Sequence, residues 1–285
     1  LINIDFFAEG GYQPVSGTDN EAAVKIYKVN NVNVENCRFY GNAGYERDVE
    51  GGWQYAVTSR GTNHVNVKGC TAVNSRAFVH AWGTDWTISN NHAYNLDADG
   101  VLLASARDVL VEYNHIHDIG GSIFFTDNTG ASYNETTKTI TANVGDPYIS
   151  GWNLQYIYAT LEDGTRLPKK TIESSTTNTI TLTDGYGQDY QNIILIEVLR
   201  GYHCDGLQMW TPHPYEGPDN VKIENIIIRG NRIYNSDGQG MLWNDIDGNA
   251  VNVTVENNLL YNTEAVTFHV FETDNLIFRN NTVIG

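Results

Sequence analysis

The sequence predicts an all-β solenoid of stacked strand-turn-strand-turn rungs. Three observations predict it: self-similarity with a period in the low twenties, a column of asparagines at a constant place in the repeat, and short alternating apolar strands with no helical spacing. The segment Val34-Glu35-Asn36-Cys37 can be laid over Val67-Lys68-Gly69-Cys70, Ile88-Ser89-Asn90-Asn91, Val111-Glu112-Tyr113-Asn114, Ile228-Arg229-Gly230-Asn231, Val255-Glu256-Asn257-Asn258 and Phe278-Arg279-Asn280-Asn281. One column therefore reads Cys, Cys and then five Asn. Its intervals include 21, 23, 27 and 33 residues, as expected when loops of variable length interrupt a constant rung.

A second short strand follows each ladder position, for example Ala77-Phe78-Val79, Gly100-Val101-Leu102-Leu103, Gly206-Leu207-Gln208-Met209, Gly240-Met241-Leu242-Trp243 and Ala265-Val266-Thr267-Phe268. Leucine-rich repeats share the period, but their Leu-x-x-Leu-x-Leu frame is absent. In a parallel stack, like residues recur at roughly 4.7–4.9 Å, so the Asn column forms a ladder of amides bonding rung to rung. The composition agrees: 33 Asn and 27 Gly against six Pro and two Met supply many left-handed or side-chain-bonded turns and disfavour long helices.

The Asn ladder, the Asn-x-Val-x-Val strands and the small-then-apolar second strand resemble the right-handed parallel β-helix of the pectate-lyase-like superfamily, over nearly the whole chain apart from one insertion. That superfamily contains polysaccharide lyases, glycoside hydrolases, uronan epimerases and phage tailspikes. The resemblance implies a polysaccharide bound along the outer face and a location outside the cell or on a virion or cell surface. A tailspike-like member implies a homotrimer, although no coiled-coil heptads accompany it here. The helix is expected over 1–127 and 192–285. Residues 128–191 carry Lys138-Thr139-Ile140-Thr141-Ala142 and Thr179-Ile180-Thr181-Leu182-Thr183 with Gly-Asp-Pro and Glu-Asp-Gly-Thr turn signals, and read as a small antiparallel β excursion overhanging a groove. Both ends of the chain are strand-like rung sequence without a cap, which predicts flanking residues or partner chains.

Charge narrows the partners. With 17 Lys and Arg against 34 Asp and Glu the formal charge is −17, which disfavours nucleic acid and anionic membrane surfaces. No spanning apolar run, signal peptide, phosphate loop or serine-nucleophile elbow is visible. The three cysteines cannot all pair and match no zinc spacing. Cys37 and Cys70 read as buried thiols continuing the Asn column.

For the site, the residues one and three places before the small residue of each second strand are expected to point outward. They read Trp53 and Tyr55, Asn74 and Arg76, Asp97 and Asp99, His203 and Asp205, Asp237 and Gln239, Asn262 and Glu264. The densest stretch is Arg200-Gly201-Tyr202-His203-Cys204-Asp205-Gly206-Leu207-Gln208-Met209-Trp210, where His203, Asp205 and Gln208 are read as aiming to one side of a strand. Elimination from a uronate needs a base for the C5 proton, a donor to the leaving oxygen and a neutralised carboxylate. Tyr202 and His203 supply the first two, and Arg76, Arg200 or calcium on Asp97, Asp99 and Asp237 the third. Trp53, Tyr55, Asn74, Arg200, Gln208, Trp210 and Gln239 are candidates for holding substrate.

The expected activity is β-eliminative cleavage of an acidic polysaccharide, with epimerisation using the same proton abstraction. The alternatives are a glycoside hydrolase pairing Asp205 with Asp237 or Asp99, since such pairs stand roughly 5–9.5 Å apart, and a non-catalytic glycan-binding module. His115-Ile116-His117-Asp118 sets two histidines on one side of a strand where a metal could sit, against the simpler reading of polar turn residues. His64, His80 and His92 read as isolated structural histidines.

Overall fold

The computed structural model describes the chain except residues 8–21, 42–54, 76, 97, 121–122, 143–154, 177, 201–203, 211–222, 245–249, 264–265, 271 and 285; for 123–129, 155–156, 197–200 and 244 it describes the backbone alone. Two compact units emerge, one of Leu1–Gly120 with His203–Gly285 and one of Gly121–Tyr202. Among the described residues no helix is long and apolar enough to cross a membrane.

The first unit is a parallel β-helix. Asp5–Phe7, Arg38–Tyr40, Thr71–Val73, His92–Leu96, His115–Ile119, Arg232–Ser236, Leu259–Thr263 and Thr282–Ile284 pair in that order into an eight-stranded sheet, every pairing parallel. A twelve-stranded sheet supplies the other faces of each rung, with the long strands Ala77–Ser89 and Val101–Glu112 running through both of its parts. Apolar residues stack in register inside. Val34, Val67, Ile88, Val111, Ile228 and Val255 form one fully buried column, and Ala72, Ala93, Ile116, Ile233 and Leu260 form another.

The ladder has the composition that the sequence predicts. Asn91, Asn114, Asn231 and Asn258 each donate from Nδ2 to the Oδ1 of the next ladder asparagine at 2.9–3.0 Å and, with the second N–H, to a backbone carbonyl at 2.9–3.0 Å. Each of the next residues' Oδ1 atoms also accepts a backbone N–H from the preceding rung, as Asn114 does from Asn91 at 3.0 Å. Asn114, Asn231 and Asn258 thus use both amide protons and accept twice at Oδ1, all in a buried column. Cys70 continues the column as a thiol: its Sγ donates to Val34 O at 3.4 Å, the place an Asn Nδ2 would use, and its N–H donates to Asn91 Oδ1 at 2.8 Å. Cys37 does the same toward Leu1 O at 3.8 Å.

The corners explain the rest of the asparagine. The residue before the ladder is left-handed in rung after rung, as Asn36, Gly69, Asn90, Tyr113, Gly230, Asn257 and Asn280, with φ of 51–64°. Two further left-handed columns run through Asn74, Asn95, Asp118, Asn235 and Asn262 and through His64, Asp85, Asp108, Asn225, Asn252 and Asn275. Asn and Gly tolerate this region where a branched residue does not. Gly230 is required twice over, because a Cβ there would lie 2.5 Å from the ring of Tyr113 in the adjacent rung.

Val101–Glu112 pairs directly with Asp205–Trp210 and with Glu224–Arg229, so no rung lies between Asp99 and Asp205. The second unit leaves the helix inside a single rung, after His115–Ile119. It is a closed antiparallel barrel of six strands, Ile123–Asn134, Thr139–Thr141, Thr179–Leu182, Lys170–Thr176, Gln155–Leu161 and Tyr190–Arg200 in spatial order, around its own core of Tyr133, Ile140, Ile157, Ile172, Ile180, Leu182, Ile193 and Ile196. Two of these strands are the alternating Thr-rich segments of the sequence.

Asn114→Ala should strip acceptors from the N–H and Nδ2 of Asn91 and the donor from Ile88 O. At about 1–3 kcal/mol per buried group left unsatisfied, denaturant unfolding should show a loss of at least about 3 kcal/mol. Asn262→Gly, in an exposed corner that glycine suits, should cost less than about 1 kcal/mol. All three cysteines are free and buried, and burial pushes the Cys70 thiol up to about 11. A thiol-reactive dye should therefore label none in the native protein and three after unfolding.

Candidate functional site

The outer face of the eight-stranded sheet carries the densest functional chemistry among the described residues. On each strand the residue following the ladder and the one two places later flank a buried apolar residue, so both point outward. Register then builds two columns. One contains Arg38, Thr71, His92, His115, Arg232 and Leu259; the other contains Tyr40, Val73, Tyr94, His117, Tyr234 and Tyr261. A third, at the left-handed corner, holds Asn95, Asp118, Asn235 and Asn262.

The rings of the second column lie nearly coplanar in projection, one upon the next. Tyr94 and His117 stack at 5.4 Å between centroids, His117 and Tyr234 at 4.9 Å, and Tyr234 and Tyr261 at 4.6 Å, with interplanar angles of 4–7°. His92 stacks on His115 at 4.8 Å. Each ring consumes its neighbour's face, leaving nitrogens, hydroxyls and ring edges toward solvent. Arg232 lies over Tyr234 at 5.0 Å and donates from Nη2 to the Tyr261 hydroxyl at 2.9 Å.

Polar contacts connect the columns. His115 Nε2 and the Tyr234 hydroxyl are 3.0 Å apart, and His92 Nε2 and His117 Nε2 are 2.9 Å apart. His117 Nδ1 donates to Asp118 Oδ2 at 2.8 Å, while Asn235 Nδ2 donates to Asp118 Oδ1 at 2.8 Å. Burial alone would raise the Asp118 carboxyl, but these bonds from Asn235 and His117 outweigh it and hold it below the usual carboxylate range. Burial, reinforced by His117, lowers both His92 and His115; for His115 the neighbouring His92 and Arg232 add to this, against Asp118. Burial and Tyr261 raise Tyr234. The ligating atoms of His92, His115 and His117 all lie within 4.8 Å of one another.

Of the residues singled out from the sequence, His115 and His117 lie in these columns, and Asn74, Asp118 and Asn262 lie in the corner column. Trp53, Arg76, Asp97, Tyr202, His203 and Glu264 lie outside the described residues, as does the side chain of Arg200. Asp99 and Asp205 are described, and they are buried rather than presented outward, at 9% and 1% exposure. Asp99 Oδ1 accepts the backbone N–H of Asp205 at 3.2 Å, so this carboxylate ties adjacent rungs at the corner before the strand. The crowding there is severe: a Cβ on Gly206 would meet Ile233 Cγ2 at 2.1 Å. Asp205 is in register with Gln239, not with Asp237, which sits in the bend over Gly120. Gln208 and Trp210 are half-buried and alternate with buried Leu207 and Met209, so Gln208, three residues from Asp205, does not share its side of the strand. Asn74 occupies a left-handed corner and accepts from Asn95 Nδ2; Tyr55 packs against the His80 ring at 4.8 Å.

His92 is the residue that sequence reasoning left isolated. The repeat alignment itself held the signal: Asn91-His92-Ala93-Tyr94, Asn114-His115-Ile116-His117 and Asn231-Arg232-Ile233-Tyr234 place ring or cation at the same two offsets from the ladder.

Residues 15–155, just under half of the chain, match the family described as right handed beta helix region. The match agrees with the right-handed parallel β-helix that the resemblance implies. Among solved structures, an alginate lyase from Paenibacillus sp. str. FPU-7 aligns at 11% identity over 92% of this chain and 67% of its own, with a TM-score of 0.48. The tailspike protein of E. coli bacteriophage HK620, in complex with a pentasaccharide, aligns at 11% identity over 93% of this chain with a TM-score of 0.38; the chain spans 40% of that protein. The Gp54 tailspike of Acinetobacter baumannii bacteriophage AP22, in complex with a capsular saccharide, aligns at 10% identity over 81% of this chain and 41% of its own, with a TM-score of 0.25. Among the curated proteins none matches this chain.

Proposed function

We propose that this β-helix acts on an acidic polysaccharide lying along the outer face of its eight-stranded sheet, and that it cleaves the chain by β-elimination. The observation that carries the reading is the 3.0 Å approach of His115 Nε2 to the Tyr234 hydroxyl beside Arg232 in the same column. Elimination from a uronate asks for a base, an acid and a cation on the carboxylate. His115, whose proton affinity burial lowers, is a neutral imidazole at neutral pH and takes the C5 proton. Tyr234, whose hydroxyl burial keeps protonated, donates to the leaving oxygen. Arg232 is surface-exposed and pairs with the substrate carboxylate, which offsets locally a chain charge of −17.

Hydrolysis is supported less well. Of the carboxylates it would use, Asp99 and Asp205 are buried, and Asp99 already serves a backbone N–H. The set of Tyr202, His203 and Arg76 has the same three chemical types, and competes with the His115 centre as the place where elimination occurs.

Incubation with a panel of polyuronates and neutral glycans separates these readings. A lyase gives an unsaturated, ultraviolet-absorbing product; reducing ends without that absorbance mean hydrolysis, and neither product means a binding module. Tyr234→Phe and His115→Gln should each lower kcat by at least about 100-fold, while His203→Ala should leave it within a few-fold. The reverse pattern would move the reaction to the sequence-derived centre. Because His115 is lowered, the acid limb of kcat/KM should fall below the ordinary histidine range; a limb at or above that range speaks against His115 as the base.

A further inference from the structure

We propose that His92, His115 and His117 together form a binding site for one divalent transition-metal ion of the zinc type. The inference does not rest on the glycan reading, and the two exclude each other at His115, whose ring can serve as base only while no ion is bound. Among the described residues this is the one grouping of three His, Cys, Asp or Glu side chains whose ligating atoms converge, all within 4.8 Å. Two nitrogens bound to a tetrahedral zinc stand about 3.4 Å apart, given bonds of about 2.0–2.1 Å. His92 and His117 at 2.9 Å need to part slightly, and the wider separations need to close by rotation about side-chain torsions. The backbone is held in parallel register on both strands, so the convergence does not depend on a loop closing.

The hydrogen bonds around His117 are those of a metal ligand set. Ionised Asp118 can only accept, so the 2.8 Å contact puts the His117 proton on Nδ1 and leaves a lone pair on Nε2, facing His92. A carboxylate on the far nitrogen orients a ligating imidazole and raises its basicity. Asp118 is itself anchored by Asn235 in the next rung.

Imidazole nitrogen selects zinc, cobalt, nickel or copper over calcium, which takes oxygen ligands. Three histidines leave a fourth position for water or for an oxygen of a bound molecule. The Tyr234 hydroxyl, 3.0 Å from His115 Nε2, stands beside that set. The solenoid also supplies substitutions that its own geometry accepts. Thr71 occupies the His92 column, Tyr94 and Tyr234 occupy the His117 column, and Asn95 and Asn235 occupy the Asp118 corner.

The test is titration of the purified full chain with Co2+ and then Zn2+ alone, without polysaccharide, following cobalt d–d absorption and competition against a chromogenic chelator. One ion per chain is expected, with zinc displacing cobalt. Asp118→Asn should weaken binding by about 10–100-fold, the range for an outer-shell partner, and His92→Thr and His117→Tyr should each weaken it further than that. Circular dichroism and unfolding should be unchanged in Asp118→Asn and His92→Thr. Failure of the wild-type chain to bind either ion would overturn the proposal, as would affinity that survives His92→Thr with the fold intact.

Discussion

Register is the constraint from which the rest of this molecule follows. Asn114, Asn231 and Asn258 each spend both amide protons and accept twice at Oδ1 on neighbouring rungs, and a shift of one residue would break all of these bonds at once and turn the apolar column outward. The hydrophobic columns also oppose that shift, but a shift of two residues would leave them inside. The amides do choose. Once the choice is made, every outward side chain meets the same neighbour above and below, and surface chemistry becomes columnar.

That is why the fold was largely legible in the sequence, while of the outward face only His115, His117 and Asp118 were picked out together. The ladder column needs Asn or a small polar substitute, since nothing else meets two donors and two acceptors in the space available, and so it stood out even where Cys70 and Cys37 replace the amide. The corners are less selective. Left-handed φ is met by Asn, Asp, Gly, His64 and Tyr113 alike, so composition there marks a turn without fixing its phase. Counting outward from the small residue of the second strand crossed such a corner, and it presented as surface two carboxylates, Asp99 and Asp205, that are in fact interior. The six-stranded barrel compounded the difficulty. It interrupts one rung, which separates ladder partners Asn114 and Asn231 by 117 residues.

The outward columns beside the ladder escape that difficulty because no corner intervenes. His92, His115 and Arg232 are each the residue directly after a ladder asparagine, and Tyr94, His117 and Tyr234 are each three after it. Their placement is inherited from the most strongly specified bonds in the molecule. This is preorganisation of the kind that functional groups require: rings held on strands whose register is set by buried hydrogen bonds, with their own orientation set by stacking worth about 0.5–1.5 kcal/mol per pair. A polar acid-base pair at 3.0 Å and a converging set of imidazoles both arise from one repeat rule applied to three consecutive rungs.

Stacking also decides what this face can recognise. An aromatic side chain that binds a sugar through apolar contact must offer the flat of its ring, but Tyr94, His117, Tyr234 and Tyr261 offer theirs to one another. Elsewhere among the described residues, Tyr55 packs against His80, and Trp82 lies under the guanidinium of Arg60 at 5.1 Å. What remains available on the eight-stranded sheet is a row of edges bearing hydroxyl, imidazole and guanidinium groups, repeated at the spacing of the rungs. Such a row suits a ligand that is extended, periodic and rich in acceptors, with charge to meet Arg232, more than it suits a neutral glycan recognised by its apolar faces. The same closed faces that weaken the pure binding reading thus leave hydroxyl, imidazole and guanidinium edges as the chemistry that this surface presents.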